Sequence, residues 1–278
     1  MWFPSPYPDE LFYSVLCRYY LSSGIKEHYL VKKQLFGTKA GVKMATLYPN
    51  AAVHAVLSQL PEGVFDGRDM ILHHTPFLYY ARMHPQQERE VLLDDLLQGR
   101  SKTPTHLWRT FPKGDYALRY CPLCIQEDTK IYGEAYYHVE HQIPLSSVCV
   151  RHRCRLKQIT IDNPRLALNN KFYPLSTMET DREPDMDVTA AELQVSELVR
   201  EYWRLPASVS PPACNNLYQT LLNSGYRTIV RQTGLNIDRA KLYTALCGYH
   251  EAEVVKKIFG ENISGTMMNR IKTWEQLL

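Results

Sequence analysis

The 278-residue sequence has no apolar run approaching the roughly 20 residues that a membrane-spanning helix needs. Its opening, MWFPSPYPDELFY, lacks the basic start and long apolar stretch of a secretory leader. The expectation is a cytoplasmic protein with no membrane partner. Charge of one sign is scarce as well: 32 Lys and Arg stand against 29 Asp and Glu, for a net charge of +3. Dedicated nucleic-acid binders carry a stronger basic excess, so this balance permits nucleic-acid contact without demanding it. No internal repeat and no low-complexity tract is visible. Neither G-x-x-x-x-G-K-[ST], G-x-S-x-G nor H-E-x-x-H occurs, which removes the commonest phosphate-loop, hydrolase and metalloprotease signatures. An ordinary apolar content of 45% and ample length for a buried core leave a globular protein, either one large domain or two to three small ones. Nineteen tyrosines are either packing groups or contact surface.

Cysteine is sparse and odd in number, at seven, so a disulfide framework is not expected in a reducing compartment. Four soft ligands nonetheless fall into two pairs. Cys121 and Cys124 lie in RYCPLCIQED, Cys149 and His152 in SSVCVRHRC, and 24 residues separate the pairs. Each pair can supply two donors from one tight turn, and two such half-sites complete the tetrahedron that zinc prefers. The competing reading is four unrelated buried residues, and Cys154 competes with His152 for the fourth position. A site with all four positions filled by protein is structural, since a catalytic zinc keeps one open. The expected cofactor is therefore one structural Zn2+, contributing on the order of 10–16 kcal/mol as in small zinc peptides. In CVRHRCRLKQI, Arg151, Arg153, Arg155 and Lys157 alternate with His152, Cys154 and Leu156. A period of two puts the bases on one face, as a contact surface for phosphate or simply as a solvated strand face. The chain also holds His138-Val139-Glu140, part of the H-x-E and P-C-x-x-C pattern of zinc deaminases. Here the order is reversed and Tyr120 stands where proline belongs, so a deaminase or hydrolase is a remote alternative and the protein is not expected to be an enzyme.

Around this module the pattern is helical. Pro8, Asp9 and Glu10 mark a helix start, followed by Leu11, Val15 and Tyr19 at four-residue spacing, with a stop at Gly24. EHYLVKKQLFG ends at Gly37, AAVHAVLSQLP stops at Pro61, and Pro76 interrupts GRDMILHHTPFLYYARMHP. QQEREVLLDDLLQG reads as an amphipathic helix with Val91, Leu92, Asp95 and Leu96 setting its register. The expected fold is mainly α: a helical N-terminal region over residues 1–115, a central zinc ribbon or knuckle over 116–160, an irregular linker over 161–189, and a helical C-terminal region over 190–278. In the last region, YRTIVRQTGLNIDRAKLYTALCGYH has the form helix, Gly-containing turn, helix. As a helix-turn-helix unit it would set Arg239 and Lys241 at the start of a recognition helix and Arg227 and Arg231 near phosphates. The alternative is an ordinary helical hairpin.

Three blocks resemble the TniQ/TnsD family of transposon target-selection proteins, the TnsD branch in particular. The start FPSPYPDELFYSVLCRYY carries Glu10, Ser14 and Arg18 at the family's spacing. LHHTPFLYYARMHP is similar to its His-Thr-x-Phe-x-x-Tyr segment, with His74, Thr75, Phe77 and Tyr80. The stretch from Arg119 to Leu156 resembles its zinc signature, with Cys121, Cys124, Cys149 and His152 at the ligand positions, which favours His152 over Cys154. The resemblance implies a non-enzymatic selector of bacterial origin that binds target double-stranded DNA and recruits a AAA+ ATPase (TnsC-like). It also implies an alternative, the TniQ-type adaptor that docks on a CRISPR RNA-guided effector complex. Glu10, Arg18, His74, Phe77 and Tyr80 are then candidates for contact with the ATPase, and Arg151 and Arg153 join the helix-turn-helix bases as candidates for DNA contact. TnsD-type members are longer than this chain, so it reads as an N-terminal part of one or as a short TniQ-type member.

Overall fold

A computed structural model of the chain describes residues 2–37, 44, 45, 47, 50–82, 84, 86–100, 117–209, 224, 225, 227–230 and 234–259. Helix α1 (Phe12–Ser23) begins after Leu11 and stops at Gly24, whose φ of 68° few other residues tolerate. It starts later than Pro8–Glu10 suggests because Glu10 is drawn into a backbone bridge with His138, outside the helix. The amide of Leu11 donates to Tyr137 O at 2.7 Å and that of Val139 to Asp9 O at 2.8 Å. The first turn of the chain is thereby stitched to the middle of it.

Helices α2 (His28–Phe36), α3 (Ala52–Leu57), α4 (Gly67–His73), α5 (Phe77–Ala81) and α6 (Gln86–Leu97) complete the N-terminal layer. Pro76 separates α4 from α5, and Asp66 caps α4 by accepting from the amide of Arg68 at 2.8 Å. α6 buries Arg89, Leu92, Leu93 and Leu96, whereas Val91 is 58% exposed. The inward stripe is rotated from the expected register because Arg89 turns inside, donating to the carbonyls of Arg82, His84 and Ala207. Spacing i, i+3, i+4, i+7 is still obeyed, with a cation as its first member.

The central module is β1 (Arg119–Tyr120), α7 (Pro122–Tyr132), α8 (Val139–Gln142), β2 (Val148–Cys149), β3 (Cys154–Arg155) and β4 (Lys157–Gln158). β1 pairs antiparallel with β4, and β2 with β3 in the register Cys149 opposite Cys154. Beyond it lie the short α9 (Pro164–Ala167) and a 3-10 turn at Leu175–Thr177, with Leu168, Phe172 and Leu175 buried in an otherwise irregular stretch. One buried cluster runs from Phe3 on the N-terminal side through Tyr137 and Ile143 of the module to Trp203 and Val254.

Helix α10 (Ala190–Arg204) opens with a capping box between Thr189 and Glu192 and packs on α5 and β2. Its far end is closed by Arg82, whose fully buried guanidinium donates to the carbonyls of Trp203, Leu205, Pro206 and Val209 at 2.6–3.2 Å. After it come β5 (Arg227–Val230) and β6 (Gly234–Ile237), an antiparallel pair, then α11 (Arg239–Tyr249), capped by Asp238, and α12 (Ala252–Phe259). The helix expected over 226–233 is therefore corrected: residues 227–230 form a strand, and the unit is a hairpin followed by a helix rather than a helix-turn-helix. The β-branched run Thr228-Ile229-Val230 favours an extended chain over the weak four-residue apolar spacing. Of the expected C-terminal helical region, residues 210–223 and 260–278 lie outside the described residues, as do residues 101–116 and Arg231.

Candidate metal centre

Tyr120 ends β1, and Cys121 is the extended N-cap of α7 with Pro122 as first helical residue. That geometry aims the amide of Cys124 at Cys121 Sγ, 3.4 Å away, and points both sulfurs to one side. The second half-site is a tight turn between β2 and β3. There Arg153 adopts a left-handed backbone (φ 51°) and its amide donates to Cys149 O at 2.7 Å, folding His152 back over the cysteines.

His152 Nδ1 lies 3.4 Å from Cys121 Sγ, 3.3 Å from Cys124 Sγ and 3.6 Å from Cys149 Sγ, and Cys124 and Cys149 stand 3.8 Å apart. All four donor atoms fall within 4.8 Å of one another. Ligands on a tetrahedral zinc with bonds of about 2.3 Å to sulfur and 2.0–2.1 Å to nitrogen are separated by about 3.5–3.8 Å. The donor set and its spacing both fit that ion. The three sulfurs are buried, and hydrogen bonding within the cysteine cluster lowers the Cys121 pKa.

Three supports around the ligands were not legible in the spacing. Glu127, one turn beyond Cys124 on α7, places Oε2 at 3.3 Å from His152 Nε2 and takes Arg151 Nη2 on its other oxygen at 2.6 Å. It faces the ring nitrogen that a metal would leave free, the usual place for an orienting carboxylate. His138 lies between Asp128 (2.9 Å) and Asp9 (3.4 Å). Burial alone would lower its pKa, but hydrogen bonds to Asp128 and Asp9 raise it to about 10. Glu140 takes Arg200 and Arg204 of α10 on a single oxygen, each at 3.0 Å. The His138-Val139-Glu140 triplet thus ties the module to its neighbours, and neither residue belongs to the cluster of potential metal ligands.

The remaining candidate residues are dispersed. Of the alternating bases, Arg151 pairs with Glu127, Arg155 with Asp185 and Glu192, and Lys157 with Asp181, while Arg153 sits exposed at the turn. Its left-handed backbone breaks the period-two alternation. Arg227 begins β5, and Arg239 and Lys241 are exposed in the first turn of α11, Lys241 donating to Gly225 O at 3.0 Å. Glu10, His74, Phe77 and Tyr80 are buried, and Arg18 is only 12% exposed. Arg18 bonds Glu10 at 2.9 Å and Glu134 at 2.7 Å with its guanidinium over Tyr7, and His74 Nδ1 lies 2.7 Å from Glu10 O. In this structure these five residues join the N-terminal helices to one another and to the module.

The TniQ family profile matches residues 1–156, a stretch that ends just past the fourth ligand and takes in the N-terminal helices. The chain is also 27% identical over 155 residues to the transposon Tn7 transposition protein TnsD of Escherichia coli. That alignment covers 54% of this chain and 30% of the relative, so the chain spans under a third of that protein's length.

Proposed function

The chain belongs to the TniQ family, and from that premise we propose that it selects targets for DNA transposition, contacting target duplex DNA and recruiting a AAA+ ATPase of the TnsC kind. The observation that carries this reading is the Cys121, Cys124, Cys149, His152 cluster inside the matched region, with all four tetrahedral positions supplied by protein. A closed site of that kind holds a shape rather than activating water. The single zinc stiffens the junction between N-terminal helices and α10, and selection proceeds by position: this chain's contacts bring the ATPase to one place on DNA.

The bases assigned to DNA contact are Arg153 on the module turn, Arg239 and Lys241 on α11, and Arg227, which begins β5. The pairing of Arg155 and Lys157 with acids of their own chain favours a second reading, in which the chain is an adaptor docking on an RNA-guided effector complex. Duplex binding by the zinc-loaded chain across a salt series separates the two. Site-preferring binding that falls steeply with salt supports the direct selector. Absence of sequence-preferring binding, together with co-purification with an effector complex, supports the adaptor. Failure of the chain to associate with a TnsC-type ATPase under either condition removes both.

A further inference from the structure

The module brings four cysteines together where a closed Cys3His site uses three. Cys154 is fully buried, and its only described hydrogen-bond partner is Cys121 Sγ, 3.3 Å away. It lies directly opposite Cys149 in the β2–β3 ladder, yet its sulfur is not in the group of donors that lie within 4.8 Å of one another. The four positions of a tetrahedral ion would be taken by Cys121, Cys124, Cys149 and His152, which leaves Cys154 outside the ligand set with its sulfur against that of Cys121. Once metal is bound, Cys121 is a thiolate and can only accept. We infer that Cys154 is a positioning residue of the metal centre, donating an S–H···S hydrogen bond to the Cys121 thiolate.

The inference rests on the zinc reading and adds a reason for a buried thiol beside the site. Three thiolates, one neutral imidazole and a divalent ion leave one net negative charge on the ligand set, enclosed by Leu123 and Leu156. Charge without solvent needs donors. Cys121 receives two: the amide of Cys124 at 3.4 Å and the thiol of Cys154 at 3.3 Å. Spreading charge off this sulfur lowers its appetite for protons and electrophiles and holds its lone pair on the metal. A donor that holds a metal ligand in place is typically worth about 10–100-fold in metal affinity.

The test compares Cys154→Ser, which keeps a donor and loses volume, with Cys154→Val, which keeps volume and loses the donor. Zinc-loaded full chain is titrated with a competing chelator, and the cobalt-substituted protein gives the sulfur-to-metal charge-transfer spectrum. Expected are near-native affinity for the serine variant and about tenfold weaker binding for the valine variant. The valine variant's charge-transfer bands should also move to lower energy at the intensity of three thiolates. Valine better tolerated than serine would show a packing role and overturn the inference, as would two variants indistinguishable from the parent. Loss of charge-transfer intensity in both variants would make Cys154 a ligand and overturn it too. A parent chain that takes up no zinc at all would sink the metal reading itself, which is a separate result.

Discussion

Replacing Arg82 by methionine should undo the seam between the N-terminal helices and α10. The guanidinium is wholly buried with no carboxylate among its described hydrogen-bond partners, and it satisfies four carbonyls at the end of α10. Methionine keeps most of the apolar stem, so the change isolates the polar contribution. Pro206 O keeps the Val209 amide at 2.9 Å, so three carbonyls lose their described partner; at about 1 kcal/mol for each acceptor left unsatisfied this gives about 3 kcal/mol. Loss of a cation at a helix carboxy terminus adds up to about 1 kcal/mol. Removing an enclosed cation offsets part of this, as burial already lowers the Arg82 pKa, and the net expectation is about 3 kcal/mol of destabilisation. In thermal unfolding of the zinc-loaded chain that is a fall of about 6–12 °C. Lysine, with one donor point in place of a planar fork, should fall between the two. Amide exchange in the last turn of α10 should accelerate most in the methionine variant. A methionine variant within about 1 kcal/mol of the parent, with unchanged exchange there, would refute the assignment of Arg82 as the closure of that helix.

Cys149→Ser should lose zinc and unfold the module, seen as absent metal by elemental analysis together with lost protection of α7; a folded, metal-free variant would argue against a structural ion. Glu127→Ala should leave the ligands in place but weaken zinc binding by roughly 10–100-fold in chelator competition, because His152 loses its orienting carboxylate. His138 supplies a pH dependence. Its folded pKa of about 10 exceeds the ordinary histidine value of 6.5, so its contribution is complete below pH 6.5 and is shed as pH rises toward 10. His138→Gln should flatten the stability profile across that window, and an unchanged slope in denaturant titrations at pH 7 and 9.5 would contradict the ion-pair assignment.

Most of the ligand set could be read directly because each half-site is local: Cys121 and Cys124 share one helix start, and Cys149 and His152 share one turn. Helix ends marked by Gly24, Gly37 and Pro76 were legible for the same reason, since caps and breakers act within a few residues. The supports of the site were not. Asp9 meets His138 across 129 positions of sequence and Glu140 meets Arg204 across 64. No short-range period announces such pairs. Arg89 shows a second kind of blindness: a cation in the inward stripe of α6 looks like a solvent-facing residue until the carbonyls it satisfies are known. Residues 226–233 failed at a closer contest, where apolar spacing of four met a β-branched run and the extended conformation won.

The bridge between Glu10 and His138 also sets a timetable for biosynthesis. At about 5–20 residues per second, the ribosome needs roughly 6–26 s to deliver His138 after residue 10 has emerged. Through that interval Leu11 and Phe12, both fully enclosed in the finished protein, have no native backbone partner for the Leu11 amide. The segment around Tyr137 lies between α7 and the β2–β3 turn in sequence, the two pieces that carry the candidate metal ligands. On the zinc reading, the supply of the ion would reach back to the beginning of the chain, and limited proteolysis of the metal-free protein should cut within the N-terminal helix as well as in the central module.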